Sequence, residues 1–123
     1  MIKVPAFLLR RLYVKGSLKN TANGFEFQLK NTLGSGYASK LLPLTIDGAE
    51  IASDKASFSA DGKLVPFFAA TKETPFTLSM NKVSTISVNG AKLESGVHKI
   101  VMGFVVVGLG ELSFDVTDTL AQN

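Results

Sequence analysis

The sequence predicts an all-β protein: a single antiparallel β-sandwich, immunoglobulin-like or jelly-roll-like, of about 8–9 strands. Three observations lead there. Turn-forming pairs recur along the chain, at Asn23–Gly24, Asp47–Gly48, Asp61–Gly62, Asn89–Gly90 and Ser95–Gly96. Such pairs suit turns that need positive φ. Between them lie short runs rich in Val, Ile, Phe and Thr. In "GFEFQLKN", Phe25, Phe27 and Leu29 alternate with Glu26, Gln28 and Lys30, which describes a strand with one dry face and one wet face.

Taken in order, the first strand is expected near residues 7–20, bending at Gly16, with Leu12, Val14 and Leu18 on one face. Its start, "PAFLLRRLY", has apolar positions that suit a helix or an extended arm, and the extended reading is preferred. Residues 1–11 are expected as an N-terminal arm. Further strands are expected at 24–32, 41–47, 55–60, 63–68, 75–80 and 83–89. A closing hairpin pairs 97–107 with 110–118. In the first of these strands Phe104–Val107 is a continuous apolar run, expected to be covered on both faces. In the second, Leu112, Phe114 and Val116 point in. Residues 119–123 are expected to fray. The whole chain, 1–123, reads as one domain.

Composition narrows the function. A chain of 123 residues buries roughly two thirds of its unfolded surface. Nine Phe supply the aromatic core, since there is no Trp. The absence of Cys excludes disulfides, thiolate metal sites and a Cys nucleophile. The net charge is +3 and the basic residues are scattered, which argues against nucleic-acid binding. The apolar stretch "IVMGFVVVGLGELSF" is too short for a membrane helix, and the N-terminus lacks a signal-peptide core. A soluble, cytoplasmic protein is expected. Exposed flat aromatics for sugar stacking are scarce, with Tyr13 and Tyr37 the only tyrosines.

No catalytic constellation is evident. His98 is the only histidine, so any Ser-His-Asp triad would need it, and no G-x-S-x-G elbow accompanies it. An ordinary strand histidine is the simpler reading. The carboxylates are dispersed, although Asp115 and Asp118 lie close in sequence. No calcium loop or closed transition-metal set is present. "GSG" at 34–36 and "GLG" at 108–110 lack the strand-to-helix context of a phosphate loop and read as loops. No cofactor is therefore expected in this chain. Arg and aromatic residues anchor interfaces, and Phe7, Leu9, Arg10, Arg11 and Tyr13 are the candidate partner interface. For Phe67–Phe68, one ring is expected to face inward.

The order of several segments resembles the small β subunit of C-glycoside deglycosidases. These are Ser17-Leu18-Lys19-Asn20 with Gly24-Phe25-Glu26-Phe27, then Ile46-Asp47-Gly48 with Ile51, then Leu93 with Gly96 and His98. The resemblance covers about residues 12 to 118. It implies a non-catalytic β-sandwich subunit of a hetero-oligomeric carbohydrate lyase. Its partner would be a larger TIM-barrel subunit, similar to sugar isomerases or epimerases, that carries a divalent metal (Mn or Mg). The alternative is a self-assembling structural or interaction domain with no enzymatic role.

Overall fold

The computed structural model describes residues 4–60, 63–71, 73, 75–90 and 92–121. Among the described residues eleven strands, more than the 8–9 expected, form two antiparallel sheets, which bears out the predicted β-sandwich. The strands are β1 (Lys19–Asn20), β2 (Gly24–Lys30), β3 (Gly36–Leu41), β4 (Leu44–Ile46), β5 (Ala49–Ile51), β6 (Ala56–Ala60), β7 (Lys63–Pro66), β8 (Phe76–Leu78), β9 (Val83–Asn89), β10 (Val97–Val106) and β11 (Gly110–Thr119). One sheet runs β1-β2-β9-β6-β7. In the other, β11 flanks one side of β10, while β3 and β4 share its other side end to end. β8 and β5 continue from β3 and β4 respectively.

The alternation in 24–30 is realised as read. Phe25, Phe27 and Leu29 are buried, and Phe27 packs on Tyr13 with ring centroids 5.8 Å apart. Across the core Phe58 stacks on Phe76 at 5.1 Å, and Phe104 meets Phe114 edge-on at 6.4 Å. Such aromatic pairs add about 0.5–1.5 kcal/mol beyond their area burial.

Five sequence expectations are corrected. The stretch expected as strand 7–20 begins instead as a short helix, α1 (Ala6–Leu9), followed by a 3-10 turn over Arg10–Leu12. A helix this short is not stable alone. It forms because Leu9 and Leu12 drop into the core. The expected strand 41–47 is two strands, broken at Leu42–Pro43, because proline cannot donate to a ladder. Phe67 and Phe68 lie in a 3-10 turn (Phe67–Ala69) rather than a strand, yet Phe67 is buried and Phe68 exposed, so one ring does face inward. Val107 ends the apolar run 62% exposed, so cover on both faces stops before it. The tail is held as far as described: Leu120 is buried, its N–H bonds to Gly96 O, and the Ala121 N–H bonds to Leu18 O.

The turn signals divide by mechanism. Asp47–Gly48 joins β4 to β5 with both residues at positive φ, +50° and +87°, as a type I′ turn requires. Gly24 is no turn residue. It opens β2 opposite Asn89, and a Cβ there would lie 1.8 Å from Val88 O. The expected Asp61–Gly62 turn lies outside the described residues. Gly24→Ala should therefore lower the unfolding free energy by about 1–3 kcal/mol through overpacking. Urea denaturation would show a lower midpoint at unchanged slope, and an unchanged midpoint would mean the strands part without cost.

Candidate functional site

A cavity of about 350 Å³ opens between the two sheets. Phe58, Phe104 and Leu112 form its buried part, from β6, β10 and β11. Leu8, Leu9 and Leu12 close one side from α1 and the turn after it. Leu33 and Leu109, both partly exposed, stand at the mouth. A register shift between Val105 and Val106 bends the β10–β3 pairing where Val106 lines the space. The lining is chiefly aliphatic and aromatic, which is the usual character of a small-molecule site.

The loop at the mouth is held by Asn31. Its Nδ2 donates to Gly34 O at 2.6 Å and to Leu78 O at 3.0 Å. Its Oδ1 accepts the N–H groups of Leu33 and Gly34, both at 3.2 Å. Ser35 Oγ accepts the Met80 N–H at 3.0 Å, tying this loop to the turn before β9. Gly34–Ser35 and Gly108–Leu109 are indeed loop residues, while Gly36 opens β3 and Gly110 opens β11; Gly34, Ser35, Gly36 and Leu109 line the cavity. Composition pointed to the loop. It did not point to the cavity, because the lining residues come from five separate stretches of chain.

The N-terminal segment is positioned by two carboxylates on opposite faces of β11. Arg10 Nε donates to Asp115 O and Arg10 Nη2 to Asp115 Oδ1, each at 2.8 Å. The guanidinium holds the Asp115 carboxyl below its usual range. Asp118, 7% exposed, accepts the Tyr13 hydroxyl at 2.7 Å and the Gly16 N–H at 2.8 Å on Oδ2, and the Thr119 N–H at 2.9 Å on Oδ1. Burial pushes this carboxyl's pKa up, but the donors outweigh burial and the net shift is downward. Burial, and then the hydrogen bond to Asp118, push the Tyr13 phenol upward. Asp115 and Asp118 thus do not form a catalytic pair, since each is engaged by its own partners.

Among the predicted interface residues, Leu9 faces the core and Tyr13 is turned inward against Phe27 and Asp118. Arg10 is bound to Asp115. Phe7, 63% exposed, and Arg11 point outward.

His98 sits at the opposite end of β10. Its Nδ1 lies 2.6 Å from Asp47 Oδ2 and its Nε2 lies 2.7 Å from Glu94 O. Both partners are acceptors, so the two contacts favour the doubly protonated ring. The Glu94 carbonyl, then Asp47, raise the His98 pKa despite desolvation. Asp47 also accepts the Lys99 N–H at 2.8 Å, which with His98 lowers its own pKa. An imidazole donating from both nitrogens has no lone pair with which to take a proton, so His98 is a structural clasp between the β4–β5 turn and the start of β10. Among the described residues no group of three or more His, Asp or Glu could hold a metal ion, and no helix is long and apolar enough to cross a membrane.

The His98 pKa is raised in the folded state. Its stabilisation is therefore complete below the unfolded value of about 6.5 and is lost as pH climbs through the folded value. Wild-type Tm should fall across that window, with the imidazole titrating late by NMR. His98→Gln should flatten the fall. An imidazole titrating at or below the free value would remove the clasp.

Residues 8–121 match the family described as hydroxymethylglutaryl-CoA reductase, N-terminal domain. The match spans nearly the whole chain, and the chain belongs to that family. No curated protein matches it. The family assignment overturns the C-glycoside deglycosidase resemblance and the lyase-subunit function drawn from it. The segments behind that resemblance, such as Ile46-Asp47-Gly48 and Gly96 with His98, are turn and clasp residues that a sandwich needs for its own geometry. The expected TIM-barrel partner rested on that resemblance and finds no support in this family. The self-assembling alternative gains nothing from the family either.

Proposed function

We propose that this member of the hydroxymethylglutaryl-CoA reductase N-terminal-domain family is a ligand-binding accessory domain whose site is the cavity between its sheets. The cavity carries the proposal: about 350 Å³ of space walled by side chains from both sheets and α1, within the usual range for small-molecule sites. The described ionisable groups favour binding over chemistry here. His98, Asp115 and Asp118 each hold a fold contact. The reduction that names the family is assigned, in this proposal, to residues outside this domain.

Filling the cavity tests the site. The neutral fluorophore N-phenyl-1-naphthylamine should bind the wild type with enhanced emission. Leu112→Phe should weaken it by roughly tenfold, equivalent to about 1.4 kcal/mol, with the circular dichroism spectrum unchanged. Equal affinity for both proteins would put the probe, and the site, elsewhere.

The same proposal assigns the outward Phe7 and Arg11 to contact with a neighbouring polypeptide in an oligomeric enzyme. Phe7→Ser combined with Arg11→Glu should lower the mass of the assembly in light scattering while the fold persists. An unchanged mass would remove both residues from any interface.

A further inference from the structure

We infer that the cavity takes one medium-length hydrocarbon chain of a free, single-chain amphiphile. The inference rests on the ligand-binding reading above and names the ligand's chemistry.

Polar satisfaction comes first. The mouth-side amide of Asn31 has two acceptors for Nδ2 and two donors on Oδ1. Ser35 Oγ already accepts from Met80. Deeper in, the walls are Phe58, Phe104, Val106 and Leu112. Apart from the Ser79 and Ser84 hydroxyls in its lining, a ligand group inside that space would find few hydrogen-bond partners, and burying an unpaired polar group is unfavourable. The inserted part is therefore hydrocarbon. Sugar, nucleotide and pantetheine-type groups are disfavoured for the same reason.

Size and shape then select the hydrocarbon. A cavity of about 150 Å³ holds benzene, so about 350 Å³ corresponds to roughly a dozen carbon atoms. The space lies between sheets that pack about 10 Å apart, so it is a slot rather than a sphere. It runs from buried Phe58 and Phe104 to the partly exposed Leu33 and Leu109. A single linear chain fits a slot open at one end. The paired chains of a membrane phospholipid exceed its volume. The polar end of the amphiphile remains in water at the mouth, beside exposed Lys82.

The test is displacement of N-phenyl-1-naphthylamine from the wild-type chain by 1-octanol, 1-decanol, 1-dodecanol, 1-tetradecanol and 1-hexadecanol. Affinity should rise about fourfold per methylene, the equivalent of about 0.8 kcal/mol, and level off near 1-dodecanol. Leu112→Phe should move the plateau to a shorter chain. Neutral phosphatidylcholine vesicles should not pull the protein down. An affinity independent of chain length would overturn the hydrocarbon assignment. A rise continuing through 1-hexadecanol, or sedimentation with vesicles, would place the chain on an open surface and overturn it as well. If the fluorophore fails to bind at all, the ligand-binding reading itself fails, which is distinct from any of these results.

Discussion

The buried carboxylate of Asp118 decides how the N-terminal segment lies on the sandwich. It collects the Tyr13 hydroxyl, the Gly16 N–H and the Thr119 N–H within a site that is almost closed to water. A buried charge is tolerated only when it is fully hydrogen-bonded. The segment therefore has one good position, with Tyr13 over Phe27 and the chain turning at Gly16. From that anchor α1 is carried over the cavity, and Arg10 reaches Asp115 from the other face of β11. The exposed Arg10–Asp115 pair contributes little by itself, because solvent screens it. Its effect is to orient a helix that Leu9 and Leu12 hold down.

The cavity follows from how the second sheet is assembled. β10 is long enough to carry two short strands on one side, β3 and β4, with Leu42–Pro43 between them. Leu42 covers Gly103 there, since its Cδ1 would stand 2.8 Å from a Cβ at that glycine. Towards the other end the ladder shifts register at Val105/Val106, and a helix rather than a strand closes the gap. Two sheets whose side chains interdigitate normally fill the space between them. Here the irregular end leaves room, and the walls of that room are apolar because they are core residues of both sheets. The cavity walls and the core are thus made of the same residues, which explains why no polar motif announces the cavity.

Much of the fold was legible. Period-two alternation marked β2 and β11, Asp47–Gly48 marked the β4–β5 turn, and "GLG" at 108–110 marked the β10–β11 connection. The less legible parts had local signals that tertiary contacts overrode. "AFLLRRL" fits helix and strand alike, and only the burial of Leu9 and Leu12 decides for helix. Asn23–Gly24 carries a hairpin signature, but that glycine serves a close approach to Val88 O. His98 was read as a strand histidine. Its partner Asp47 is far away in sequence and was legible only as a turn former.

The sequence by itself determined the β-sandwich class, the dry faces of the main strands and the absence of thiol chemistry. Those properties depend on residue type and on spacing along one strand. Tertiary structure alone decided the helix at the start, the Asp118 and His98 networks, and the cavity. Each of these joins residues that are distant in the chain, with |i−j| of 105 for Tyr13–Asp118 and 51 for Asp47–His98. Such contacts leave no periodic trace along the chain, because they exist only once both sheets have packed.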